Sequence, residues 1–208
     1  MMNDKHDIQT AIHRQVAAAR AGEEPRVAAR LFSGWVLFGE RQFVRGYVLL
    51  LPDPVVPSLN ALGAKERAMF LHDMGRLGDA LLKVTGAARI NYAILGNLEP
   101  ALHAHVIPRY LDEPEGKRTA HPWAYDWDAA AAFDRTALAP LAESLRAELT
   151  RMGVTKPMRF DPGAKAASPG TVSATSAGAV AKAPQGGGAG GGSGQSGGQV
   201  GGAAKGRS

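Results

Sequence analysis

Arg89–Ile90–Asn91–Tyr92–Ala93–Ile94–Leu95 and Leu102–His103–Ala104–His105–Val106–Ile107–Pro108 decide the fold. Each is a short run rich in residues that favour strands. The polar link between them, Gly96–Asn97–Leu98–Glu99–Pro100–Ala101, predicts an antiparallel hairpin. Side chains alternate along a strand, so His103 and His105 share one face while Leu102, Ala104 and Val106 turn to the core.

Working back from this hairpin, Ala64–Val84 carries Phe70, Met74, Leu77, Leu81 and Val84 at helical spacing. Gly86 is placed to stop that helix. Before it, Trp35–Gly39 and Phe43–Leu51 read as two strands joined by Glu40–Arg41–Gln42, and Pro52, Pro54 and Pro57 end the pair. The first thirty residues read as helical, with Ile8, Ile12 and Val16 four apart and Gly22 after them. Working forward, Leu141, Leu145 and Leu149 predict a last helix from Pro140 to Met152. Helix, hairpin, helix, hairpin, helix is an α+β order with an antiparallel sheet. No Gly-rich phosphate loop precedes a helix.

After Phe160 the composition turns to Gly, Ala, Ser, Gln and Pro, which offers nothing to bury. The expected organisation is therefore a helical extension over 1–30, a globular domain over 31–161 and a disordered tail over 162–208. The tail also holds most of the net charge. Lys165, Lys182, Lys205 and Arg207 account for four of the net +5, which leaves the rest of the chain near neutral. A specific nucleic-acid surface is not expected from such a balance. The chain has no cysteine, and no apolar run approaches the roughly 20 residues of a membrane span. Asp4 and Asp7 stand where a signal peptide would be apolar. A cytoplasmic protein without a membrane partner is the expectation.

Paired imidazoles beside a polar loop carrying Asn97 admit three readings: a solvated surface pair, a metal site, or a catalytic pair. The metal reading lacks a carboxylate nearby, since none occurs between Glu99 and Asp112 and position 109 is arginine. Pro108 reads as the end of the strand. His121 is a candidate third ligand that nothing in the spacing requires. No metal and no cofactor are expected. His6, His13 and His72 read as solvated. Trp123, Tyr125 and Trp127 read as an aromatic cluster packed over the sheet, with stacking on a base as the alternative.

Asn91–Asn97 followed by Pro100–Tyr110 resembles the histidine-triad (HIT) family, and most of all its bacterial branch of diadenosine polyphosphate hydrolases. The family pattern is His-φ-His-φ-His-φ-φ, with Gln or Asn four residues before the first histidine. The resemblance spans about residues 31–152 and implies a sheet of about five strands, a long helix between two hairpins, and a C-terminal helix. It implies that His103 attacks the α-phosphorus of a nucleotide, that His105 and Asn97 contact phosphate oxygens, and that Asn91 lies near ribose and phosphate. It also implies a homodimer. Two positions depart from the pattern. The first triad histidine is Ala101, and the histidine of a Pro-x-x-His sequence falls at Val55. A nucleotide-binding protein with little turnover is the alternative these departures suggest. If the register holds, Ala101 faces the side of His103 and His105, and a histidine is tolerated there.

Overall fold

The computed structural model describes residues 9–160. Ile8, His6 and the expected tail over 162–208 lie outside the described residues. Five strands form one antiparallel sheet: β1 (Val27–Arg30), β2 (Gly34–Phe38), β3 (Val48–Pro52), β4 (Arg89–Ala93) and β5 (Ala104–Arg109). Their order across the sheet is β1-β2-β3-β5-β4. The three helices are α1 (Ala11–Ala21), α2 (Ala64–Thr85) and α3 (Arg135–Arg151). This is the expected α+β architecture.

The pleat divides the apolar residues between the two faces. Val36, Phe38, Val48, Leu50, Ala104 and Val106 meet Phe70, Leu77 and Leu81 of α2 and Leu145 and Leu149 of α3. On the opposite face, Trp35, Leu37, Leu51 and Ala101 meet Ile12, Val16 and Ala19 of α1. Because β2 is covered on both sides, all five of its residues are buried.

Four elements differ from their sequence reading. Val27–Arg30 belongs to the sheet as β1, so only Ala11–Ala21 of the first thirty residues is described as helix. Two alanines in a four-residue edge strand give little alternation to read. The second strand of the first hairpin starts at Val48 rather than Phe43. The Gln42 side chain holds residues 39–47 as a loop, donating to the Gly39 and Tyr47 carbonyls and accepting from the Gly46 amide. The main chain of that loop pairs with the segment before α3, through Gln42 N to Ala131 O and Phe133 N to Glu40 O.

Pro108 does not end β5, which continues through Arg109. Pairing with β3 runs only from Ala104 to Val106, so Pro108 lies past it. The last helix begins at Arg135, with Pro140 inside it. Asp134 caps it by accepting from the Thr136 and Ala137 amides, and Leu138 and Leu141 pack on the core.

Candidate active site

His105 stands opposite Leu49 on β3 and Ala93 on β4, on the face that α1 covers. His103 precedes the strand and shares that face, with the two ring centroids 4.9 Å apart. Neither is a solvated surface histidine. His103 is 8% exposed, and His105 is half-buried.

The His103 Nδ1 lies 2.8 Å from the Ala101 carbonyl oxygen. A carbonyl only accepts, so Nδ1 carries a proton, and in the neutral tautomer this leaves the lone pair on Nε2. Burial, and then the neighbouring His103, push the His105 pKa down to about 3. His105 is therefore neutral at physiological pH. Its Nδ1 lies 2.6 Å from the Tyr47 hydroxyl.

Both rings face a cavity of about 660 Å³. One wall is α1, presenting Ile12, Arg14 and Gln15, and the rim includes Asn97 from the β4–β5 loop. Glu99 ties loop to helix by accepting from the Ala11 and Ala101 amides, each at 3.1 Å. The opposite wall carries Trp123 and Trp127. Trp123 meets His105 edge-on at 5.3 Å, and Trp127 packs on Phe43 with centroids 4.0 Å apart.

That aromatic wall belongs to a long connection between β5 and α3, fixed by an ion pair. Arg109, 5% exposed, donates Nε and Nη2 to the Glu113 carboxylate at 2.8–3.1 Å. It also donates to the Lys117 and Ala120 carbonyls. Tyr125 completes the group, its hydroxyl 2.6 Å from Glu113. Burial opposes ionisation of Glu113, yet hydrogen bonds from Arg109 and Tyr125 hold its pKa below the usual range.

His103, His105 and Asn97 thus meet in one cavity. Asn91 does not join them. It accepts from Arg109 Nη1 at 2.7 Å and lines a second cavity beside β4. Of the aromatic cluster, Trp123 and Trp127 line the first cavity, whereas Tyr125 serves the ion pair. His121 also reaches this cavity, 4.8 Å from the Trp123 ring. His72 is exposed, as expected. His13 instead is half-buried and caps α1 in a reciprocal box with Thr10. Tyr47, Arg26 and Glu99 reach the site unannounced by the sequence reading. A tyrosine at a loop end and charged residues around a helix carry no motif.

Among the described residues, no group of three His, Cys, Asp or Glu side chains is placed to hold a metal ion. Nor, among them, is any helix long and apolar enough to cross a membrane.

No protein-family model and no curated protein matches the chain. Solved structures do match. A histidine triad protein from Bradyrhizobium japonicum is 25% identical with a TM-score of 0.52, over 59% of this chain and 88% of that one. One from Marinobacter aquaeolei is 21% identical with a TM-score of 0.53, over 60% and 88%. One from Sinorhizobium meliloti is 22% identical with a TM-score of 0.50, over 57% and 85%. The latter two share the fold.

Proposed function

Taking the chain as the histidine triad (HIT) family protein that its fold and strand motif make it, we propose that it cleaves or transfers a nucleotide through a covalent histidine intermediate. The observation that carries this reading is the His103 hydrogen bond to Ala101, which in the neutral tautomer leaves the lone pair on Nε2 of a ring that lines the cavity. That nitrogen attacks the α-phosphorus, forming a P–N bond as the P–O bond to the leaving phosphate breaks. The leaving group departs as an anion, and the positive charge on the imidazole ring is shared with the Ala101 carbonyl through Nδ1–H. Water then attacks phosphorus, the P–N bond breaks, and nucleoside monophosphate leaves after a proton passes to solvent.

His105 and the Asn97 amide supply donors to the phosphate oxygens. Removing one such donor typically costs ~10²–10³ in rate. The aromatic wall offers a stacking surface for a base. Asn91, 2.7 Å from Arg109, serves the wall rather than the phosphate. Dinucleoside polyphosphates are the first substrates to try. β4 ends the sheet order, and a homodimer joining two such edges fits the family. A cytoplasmic setting fits this chemistry.

Incubation with a panel of adenylated and guanylated compounds, followed by rapid quench, tests the reading. Wild-type protein should carry an acid-labile, base-stable label on the peptide containing His103. His103→Ala should lose turnover and keep nucleotide binding. Near-normal turnover in that variant would mean direct attack by water. The second reading, binding with little turnover, is favoured by Ala101 at the first triad position. It predicts saturable AMP binding without product release.

A further inference from the structure

Tyr47 is held in place by its local sequence. It follows Gly46, whose φ of 82° turns the loop into β3. Its ring lies against Gly39, where an added Cβ would come within 2.2 Å of the Tyr47 ring. Only glycine leaves that room. The tyrosine is 3% exposed, nearly parallel to the His105 ring at 8° and 5.9 Å, and edge-on to Trp127 at 5.6 Å. Burial first, and then the Glu40 charge, push its pKa up. The hydroxyl therefore keeps its proton at neutral pH.

We infer that Tyr47 is a positioning residue: its hydroxyl donates to His105 Nδ1 and so fixes that ring with the proton on Nε2. The inference rests on the proposed roles of His103 and His105. A neutral imidazole has one donor and one acceptor nitrogen. The Ala101 carbonyl makes His103 Nδ1 the donor; the buried Tyr47 hydroxyl has His105 Nδ1 as its one hydrogen-bond partner among the described residues, and giving its proton there makes that nitrogen the acceptor. Two identical side chains, two residues apart, thereby take opposite tautomers. One offers a lone pair to phosphorus and the other offers an N–H to a phosphate oxygen. The other titratable or charged groups around this pair are His103 on the same segment, His121 from the aromatic wall, Arg26 and Glu40 around Tyr47 with Arg41 beside them, and Glu99 and Arg14 on the α1 side.

Ring-nitrogen ¹⁵N NMR of the full chain at pH 7 reads the tautomers directly. Wild-type His105 should show an unprotonated Nδ1 and a protonated Nε2. Tyr47→Phe, which keeps the ring and its packing, should show a mixture of both forms at His105 with His103 unchanged. In turnover assays it should lower kcat about tenfold or more, with KM within about twofold, since a donor is misdirected rather than a binding surface removed. Gly39→Ala displaces the Tyr47 ring with its hydroxyl intact and should give the same spectrum. A wild-type His105 protonated on Nδ1, or a Tyr47→Phe spectrum identical to wild type, overturns the assignment. Because the spectra require no substrate, the tautomer assignment stands or falls separately from the proposed reaction.

Discussion

His105 carries a pH dependence that its neighbour His103 does not impose on it alone. Burial is the main reason its folded pKa sits at about 3, against 6.5 for a free side chain. Well above pH 6.5 both folded and unfolded states keep the ring neutral, and the effect vanishes. As pH falls below that, the unfolded chain takes up a proton that the folded chain refuses until about pH 3. Stability is therefore lost on acidification, at about 1.4 kcal/mol per pH unit. Urea unfolding at pH 7 and pH 5 should show wild type losing ~2 kcal/mol that His105→Gln does not lose. Equal losses in both proteins would remove the buried neutral ring as the cause. Position 101 gives a second test. Its side chain faces the His103 side, as the register predicts, but it is 2% exposed and packed with Ile12 and Trp35 under α1. Ala101→His must push that helix aside. The expectation of tolerance is replaced by a loss of about 1–3 kcal/mol, as for other overpacked sites, measured by the same unfolding. A variant as stable as wild type would show that α1 yields easily.

The connection from β5 to α3 depends on one carboxylate. Glu113 accepts from Arg109, the Tyr110 amide and the Tyr125 hydroxyl, and both members of the ion pair are almost fully buried. Glu113→Gln keeps the shape and strands the guanidinium charge, which typically costs ~3–5 kcal/mol. The same change should weaken nucleotide binding, because Trp123 and Trp127 ride on this connection. Calorimetric unfolding and a nucleotide titration check the two parts, and a loss under ~1 kcal/mol would make the pair ornamental. This connection also marks where the sequence stops being readable. The β4–β5 hairpin, α2 and its Gly86 stop were legible because their apolar spacing is regular and local. His103, His105 and Asn97 were legible because a strand and its loop bring them together. Residues 110–134 have no periodicity, and their course is set by Arg109 meeting Glu113 and the carbonyls of Lys117, Arg118 and Ala120, a tertiary fact. Phe43–Tyr47 looked like strand for the opposite reason. Its residues favour strands, but the Gln42 side chain and the pairing with 131–133 claim that backbone first.

The sheet order puts the histidine strand inside and leaves both walls of the cavity outside. β5 is flanked by β3, which precedes α2 in the chain, and by β4, which follows it. Its Val106 pairs with Val48, far back in the sequence, so β5 cannot complete its pairing until the chain around α2 has closed on itself. That placement has a consequence in amide hydrogen exchange. Ala104, His105 and Val106 are paired on one flank or both, and no small opening frees them. Their amides should exchange only through complete unfolding, with a free energy equal to that from denaturant. The Ala101 amide, held by the Glu99 side chain alone, should exchange orders of magnitude faster by local opening. The His103 ring thus sits at the seam between these two regimes, its backbone as durable as the molecule on one side and as transient as a loop on the other.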